Sequence, residues 1–214
     1  MRNGNGASWP RLYVVIDAQT LSTRGVSLRE FGEGLRAAGV ALVQYRDKVG
    51  SPREVLSAAR VLRAVFAGSE CQLVMNDRAD LAMIAEFDGV HVGQGDLPVE
   101  DARRVVGEGK IVGVSTHTDE QVRAADTGSA DYVATGPVFQ TETKADAAAV
   151  IGLEGVHRAR TLTTKPLVAI GGITRENARS VVEAGADSVA VISELLKANE
   201  RPEQVARDFL DFFR

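Results

Sequence analysis

A single cysteine, Cys71, among 214 residues excludes an intramolecular disulfide. It borders an apolar run, the setting of a buried, inert thiol rather than a reactive one. Long hydrophobic runs are missing as well. No stretch approaches the roughly 18 apolar residues of a membrane-spanning helix, so no membrane partner is expected. A basic surplus is also lacking: the formal charge is −4, which gives no general attraction to nucleic acid or to an anionic membrane. Any phosphate must then be held by local basic residues. The first segment, Met1–Pro10, is rich in Gly and Asn and lacks the apolar centre of a signal peptide. It reads as a flexible leader (1–10) ahead of one domain (11–214), and a cytoplasmic location is expected. No linker, low-complexity stretch or composition break divides the rest, and 44% hydrophobic residues suffice for one sizeable core.

What is present is a repeating alternation. Short apolar, β-branched runs occur at Leu12–Ile16, Val40–Tyr45, Gln72–Met75, Gly89–Val92, Ile111–Val114, Tyr132–Thr135, Leu167–Ile170 and Ser188–Ile192. Between them lie stretches with helical spacing. Pro52–Phe66 places Val55, Ala58, Ala59, Leu62 and Phe66 on one stripe, with Ser51 as N-cap and Pro52 at the first helical position. Thr118 begins another helix, Thr174 with Asn177 a third, and Pro202–Phe213 a closing one that packs Val205, Phe209 and Phe212 onto the body. Strands alternating with helices imply parallel pairing through crossovers, and eight such units predict an α/β fold, a single-domain (β/α)₈ TIM barrel. Trp9, just ahead of the first strand, stands where it could pack over the barrel bottom.

Such a barrel carries its chemistry on the loops at the C-terminal ends of its strands. Strand 2 ends in Gln44-Tyr45-Arg46-Asp47-Lys48, where alternation puts Gln44, Arg46 and Lys48 on one face. Two cations at a barrel rim suit a multiply charged anion, against the plainer alternative of a solvated charge cluster. Strand 3 ends in Asn76-Asp77, and strand 4 in His91-Val92-Gly93-Gln94-Gly95-Asp96. Mg²⁺ takes one or two carboxylates, keeps water, and completes its shell with phosphate oxygens, so Asp77 and Asp96 predict a metal-diphosphate site. The alternative for Asp96 is an N-cap of the helix starting near Pro98. Strand 5 ends in Ser115-Thr116-His117, with Ser115 offered to a substrate ring. His117 and His91 read as hydrogen-bonded supports rather than as acid or base. After strand 6 the polar run Gly136–Asp146, with Thr141, Thr143 and Lys144, reads as a lid. Strand 7 ends in Gly171-Gly172-Ile173-Thr174, and strand 8 runs into Ile192-Ser193; glycines and a helix start there form the usual phosphate position of this fold. Two anion sites imply transfer between two phosphorylated substrates.

The ordered set of strand ends, from Gln44–Lys48 through Asn76–Arg78, His91–Asp96, Gly113–Ser115, Gly136–Phe139, Thr141–Lys144 and Gly171–Thr174, resembles the thiamine-phosphate synthase family across about Leu12 to Ser193. That resemblance implies that Arg46, Lys48, Asn76 and Lys144 hold the diphosphate of hydroxymethylpyrimidine diphosphate, with Arg46, Lys48, Lys144 and Ser115 acting in catalysis. It implies Asp77 and Asp96 as ligands of Mg²⁺, and Gln44 and Ser115 as contacts of the pyrimidine. Thr141, Thr143, Gly172, Ile192 and Ser193 would hold the thiazole phosphate. The implied partners are these small molecules, without nucleic acid or membrane, and a homo-oligomer is allowed. Gly95 stands where many members carry an acidic residue, and Gln140 where proline is frequent, departures that bear on rate or lid shape. A thiazole tautomerase-like relative, or a barrel that only binds a thiamine precursor, are the alternatives.

Overall fold

Parallel pairing around a closed ring organises the chain, whose computed structural model describes residues 9–141, 149–197 and 199–213. The strands are β1 (Leu12–Asp17), β2 (Leu42–Arg46), β3 (Gln72–Asn76), β4 (Gly89–Val92), β5 (Ile111–Thr116), β6 (Tyr132–Thr135), β7 (Leu167–Ile170) and β8 (Ser188–Val191). Each pairs with the next, and β8 closes on β1 through Leu12↔Val189 and Val14↔Val191. The (β/α)₈ barrel expected from the alternation is the fold observed.

The helices form an outer ring because each lays one apolar stripe on the sheet. They are α1 (Ala18–Arg24) and α2 (Leu28–Ala38), both between β1 and β2, then α3 (Pro52–Val65), α4 (Ala79–Ile84), α5 (Val99–Val106), α6 (Asp119–Thr127), α7 (Gly152–Leu162), α8 (Ala178–Glu183) and α9 (Pro202–Phe212). Ser51 caps α3 in a reciprocal box with Glu54, and Thr118 does the same for α6 with Gln121. In α3 the stripe of Val55, Ala59 and Leu62 is buried, as the spacing requires.

Several strand limits differ from the sequence expectation for one reason. The apolar criterion stops at the first polar residue, but the backbone ladder does not. Asp17 pairs with Arg46, Asn76 with His91 and Thr116 with Thr135, so β1, β2, β3 and β5 run on into their polar ends. Val40 instead belongs to the end of α2: its N–H bonds the Leu35 carbonyl beyond Gly39, a left-handed cap. β8 stops at Val191, one residue early, where the backbone turns into a 3₁₀ turn, Ser193–Leu196. In α9 Val205 and Phe209 are buried, but Phe212 is 37% exposed and lies under Arg179, 4.6 Å from guanidinium carbon to ring centroid, rather than in the core.

The barrel interior is filled by Tyr13, Val15, Leu42, Val74, Tyr132, Ala134, Val168 and Ala190. Tyr132 is fully buried, and its ring occupies the space over Gly113, where an added Cβ would fall 2.0 Å from the phenol carbon Cζ. Only glycine on β5 leaves room for it. Trp9 packs on Tyr132 from below, ring centroids 5.1 Å apart, so it closes the barrel bottom. Among the described residues no helix is long and apolar enough to cross a membrane.

Cys71 is buried, and desolvation assisted by the Asp88 carboxylate pushes its thiol up to about 12. A thiol reagent at about pH 8 should therefore leave the native protein unlabelled and react only as it unfolds. Stoichiometric labelling under native conditions would contradict this burial.

Candidate active site

Because all strands are parallel, their C-terminal ends share one rim, and the alternating side chains there point inward. The rim encloses a cavity of about 1040 Å³. Gln44, Arg46, Lys48, Asn76, Asp77, Asp96, Ser115, Thr141, Gly172, Ile192 and Ser193 all line it, so the structure brings these sequence-predicted residues together. Thr143 and Lys144 lie outside the described residues.

The acidic and basic groups on the β2–β4 side are interlocked. The Lys48 ammonium pairs with Asp77 Oδ2 and stands 3.7 Å from Asp96 Oδ1. Asp77 sits at a left-handed φ of 60°, which turns it toward that lysine immediately after β3. Burial raises the Asp77 pKa; Lys48 opposes the shift and the Asp96 carboxylate adds to it. Burial also works against charge on Asp96, but Asp77, the Gly93 N–H and Lys48 outweigh it and hold its pKa low. Asp96 Oδ2 accepts the Gly93 N–H at 2.9 Å, which ties down the loop after β4. It is not the cap of α5, whose N-cap position is Pro98 without a side-chain bond.

This pair fits a divalent cation on its own chemistry. Two carboxylates meet around one positive charge, and Lys48 supplies that charge here. An ion that takes one or two carboxylates and completes its shell with water and phosphate oxygens suits such a pair. Asn76 Nδ2 is buried at the same place with no hydrogen-bond partner among the described residues. A buried donor of this kind costs about 1–3 kcal/mol until an acceptor reaches it, and a phosphate oxygen is a suitable one.

The sequence expectation puts Arg46 with Lys48, Asn76 and Lys144 on one diphosphate, without a carboxylate partner. Arg46 is in fact paired with Asp17, which is 4% exposed and also accepts the Thr20 N–H at 2.8 Å as the N-cap of α1. The apolar run closes at Ile16, so the sequence pattern passes over Asp17, the acid that directly follows that run and ends β1. The remaining guanidinium N–H groups of Arg46 are still available to a phosphate. The side chain of α1 residue Arg24 also borders the cavity and was not anticipated.

Deeper in the barrel, polar groups form one continuous chain. Gln44 Nε2 donates to the Tyr13 hydroxyl at 2.9 Å, and Tyr13 and Tyr132 share a bond of 2.8 Å. Tyr132 meets His91 Nδ1 at 2.8 Å, and His91 Nε2 meets Ser115 Oγ at 2.8 Å. Burial raises both phenols, so they remain protonated hydrogen-bonding groups. His91 is thus a support, as expected. His117 lines both this cavity and its neighbour, with its Nδ1 2.9 Å from the Gly136 carbonyl oxygen.

On the β5–β8 side a smaller chamber of about 220 Å³ adjoins the first. Its floor is the loop Gly171–Thr174 and the turn at Ile192–Glu194. Gly172 has φ +63, and an added Cβ would fall 2.5 Å from the Gln140 carbonyl oxygen. The glycine was expected to admit a phosphate to the backbone; its first duty is to admit the β6 loop. After β8 there is a single 3₁₀ turn rather than a full helix.

Comparison with known proteins agrees with this architecture. Residues 12–195 match the family model described as thiamine monophosphate synthase. A thiamine-phosphate synthase of Koribacter versatilis is 51% identical, covering 96% of this chain and 97% of that one. One from Chloroflexus aurantiacus is 45% identical, covering 89% and 87%. Among solved structures, the thiamine phosphate pyrophosphorylase of Pyrococcus furiosus superposes with a TM-score of 0.82 at 32% identity, covering 94% of each chain.

Proposed function

The chain belongs to the thiamine monophosphate synthase family, and on that premise we propose that its barrel mouth joins hydroxymethylpyrimidine diphosphate to thiazole phosphate with Mg²⁺, releasing pyrophosphate. The observation that carries this reading is the meeting of Asp77, Asp96 and Lys48 beside a buried, unpartnered Asn76 amide, with a second, smaller chamber adjoining. One chamber suits a cation-bridged diphosphate and the other a monophosphate. The reaction needs both.

Asp77 and Asp96 would hold Mg²⁺, whose bound form supplies positive charge to the leaving pyrophosphate. The chain's own groups do the rest. Lys48 exchanges its carboxylate partners for diphosphate oxygens, Arg46 offers the N–H groups that Asp17 does not use, and Asn76 gains its missing acceptor. Lys144, outside the described residues, is assigned to the same diphosphate by the family resemblance. The bond between the pyrimidine methylene and the diphosphate oxygen breaks with its electron pair leaving on pyrophosphate. The thiazole nitrogen then gives its lone pair to the methylene carbon. No proton has to be removed, so no general base is required, and preorganised charge is the main requirement. Gln44 and Ser115, held at opposite ends of the Tyr13–Tyr132–His91 chain, orient the pyrimidine. Thr141, Thr143, Gly172, Ile192 and Ser193 take the thiazole phosphate.

Mixing the purified protein with both substrates and Mg²⁺ should release pyrophosphate and thiamine phosphate in equal amounts. Omitting either substrate, or chelating the metal, should lower release at least about a hundredfold. A proton shift within the thiazole without pyrophosphate would indicate a tautomerase, and binding without any product a precursor-binding barrel.

A further inference from the structure

Glu194 is an acid where an anion has to bind. It lines the smaller chamber immediately after Ser193, with a side chain only 3% exposed. Left alone, a buried carboxylate there would repel a phosphate. Two cations face it: Arg175 Nε is 3.2 Å from Glu194 Oε1, and Lys197 Nζ is 2.9 Å away. Arg175 directly follows the loop Gly171–Thr174. Its other guanidinium nitrogens reach Asp208 of α9 at 3.0 Å and Glu200 at 2.6 Å. One side chain therefore joins the loop after β7, the turn after β8 and the closing helix. Asn177 braces the same loop from the other side, accepting the Thr174 N–H at 2.8 Å and donating to the Gly172 carbonyl at 3.0 Å.

We propose that Arg175 is a positioning residue for the phosphate chamber, offsetting the charge of Glu194 together with Lys197 and holding the two phosphate-facing loops in register. This rests on the reading that the smaller chamber takes the thiazole phosphate. Partial desolvation works against charge on Arg175, but bonds from Glu200, Asp208 and Glu194 outweigh it, so the guanidinium stays a permanent cation. Glu194 can be buried beside an anion site because Arg175 and Lys197 both stand charged against it.

The test compares wild type, Arg175→Ala, Glu194→Gln and the double variant, by steady-state kinetics in both substrates and by calorimetric titration with thiazole phosphate. Arg175→Ala leaves Lys197 alone against Glu194 and should raise KM and Kd for thiazole phosphate about tenfold, as expected for a partly compensated charge near the ligand at an intermediate dielectric. KM for the pyrimidine diphosphate should stay unchanged. In the double variant the thiazole phosphate affinity should return to within about threefold of wild type, although the contacts to Glu200 and Asp208 are still missing and the melting temperature stays lowered. A scaffolding role alone predicts no such rescue, and its absence would overturn the proposal. So would an unchanged KM in Arg175→Ala. If Arg175→Ala does not fold, Glu194→Gln decides: affinity equal to or tighter than wild type supports the proposal, and weaker affinity refutes it. A wild type that releases no pyrophosphate would refute the transfer reaction instead, and the calorimetric series would still settle the part played by Arg175.

Discussion

Asp96→Ala is expected to lower kcat/KM by about a hundredfold to a thousandfold, the scale of losing preorganised charge at a departing anion. Part of the loss should return when Mg²⁺ is raised, because Asp77 and the diphosphate still offer oxygens to the ion. Asp96 also holds the Gly93 N–H, so alanine alone would confuse a loosened loop with a lost ligand. Asp96→Asn separates them. Its amide oxygen can still accept that N–H, yet it carries no charge, and it should be nearly as impaired as alanine. A Mg²⁺ titration of the initial rate in all three proteins checks this. Wild-type rates in either variant would remove Asp96 from the metal site.

Arg46→Ala should act on both stability and binding. Its partner Asp17 is almost fully enclosed, and stripping one member from a buried ion pair costs about 3–5 kcal/mol because the other charge is left unpaired. KM for the diphosphate substrate should also rise, while affinity for thiazole phosphate should hardly change. Asp17→Asn added to Arg46→Ala distinguishes the two losses. Asparagine caps a helix as well as aspartate does, so α1 keeps its N-cap, and the unpaired charge is gone. Denaturant melts should then show most of the stability restored, with diphosphate binding still weak. Recovery of both would mean that Arg46 serves only the fold.

These two variants also mark what the sequence does and does not reveal. That Arg46 and Asp96 belong to one mouth was legible, because alternation within strands and the order of strand and helix place every strand end on one rim. That Arg46 is already engaged was not. Asp17 lies on another strand, and only the register of β1 against β2 sets it opposite Arg46. The same holds for Lys48, whose place between Asp77 and Asp96 depends on the left-handed backbone at Asp77. Aspartate is among the few non-glycine residues that adopt that conformation, but nothing local in the sequence singles out this one. Strand limits failed where polar residues continued a ladder that apolar patterning had closed, at Asp17, Arg46, Asn76 and Thr116. Phe212 fell outside the core because α9 is satisfied by Val205 and Phe209 on one face, leaving the next aromatic to Arg179. The Gly171-Gly172 pair was read correctly as a close approach, but the approaching group is the β6 loop. In each case the missing information was a tertiary neighbour distant in sequence.

The proposed transfer requires that Asp77 and Asp96 jointly receive a divalent cation that in turn receives a diphosphate. Crystals grown with Mn²⁺ and pyrophosphate, measured for anomalous scattering, examine it directly. One strong manganese peak touching both carboxylates and a pyrophosphate oxygen is expected, with Lys48 swung onto the pyrophosphate and the Asn76 amide bonded to it. A peak elsewhere, or pyrophosphate bound without metal while Lys48 remains on Asp77, would contradict it.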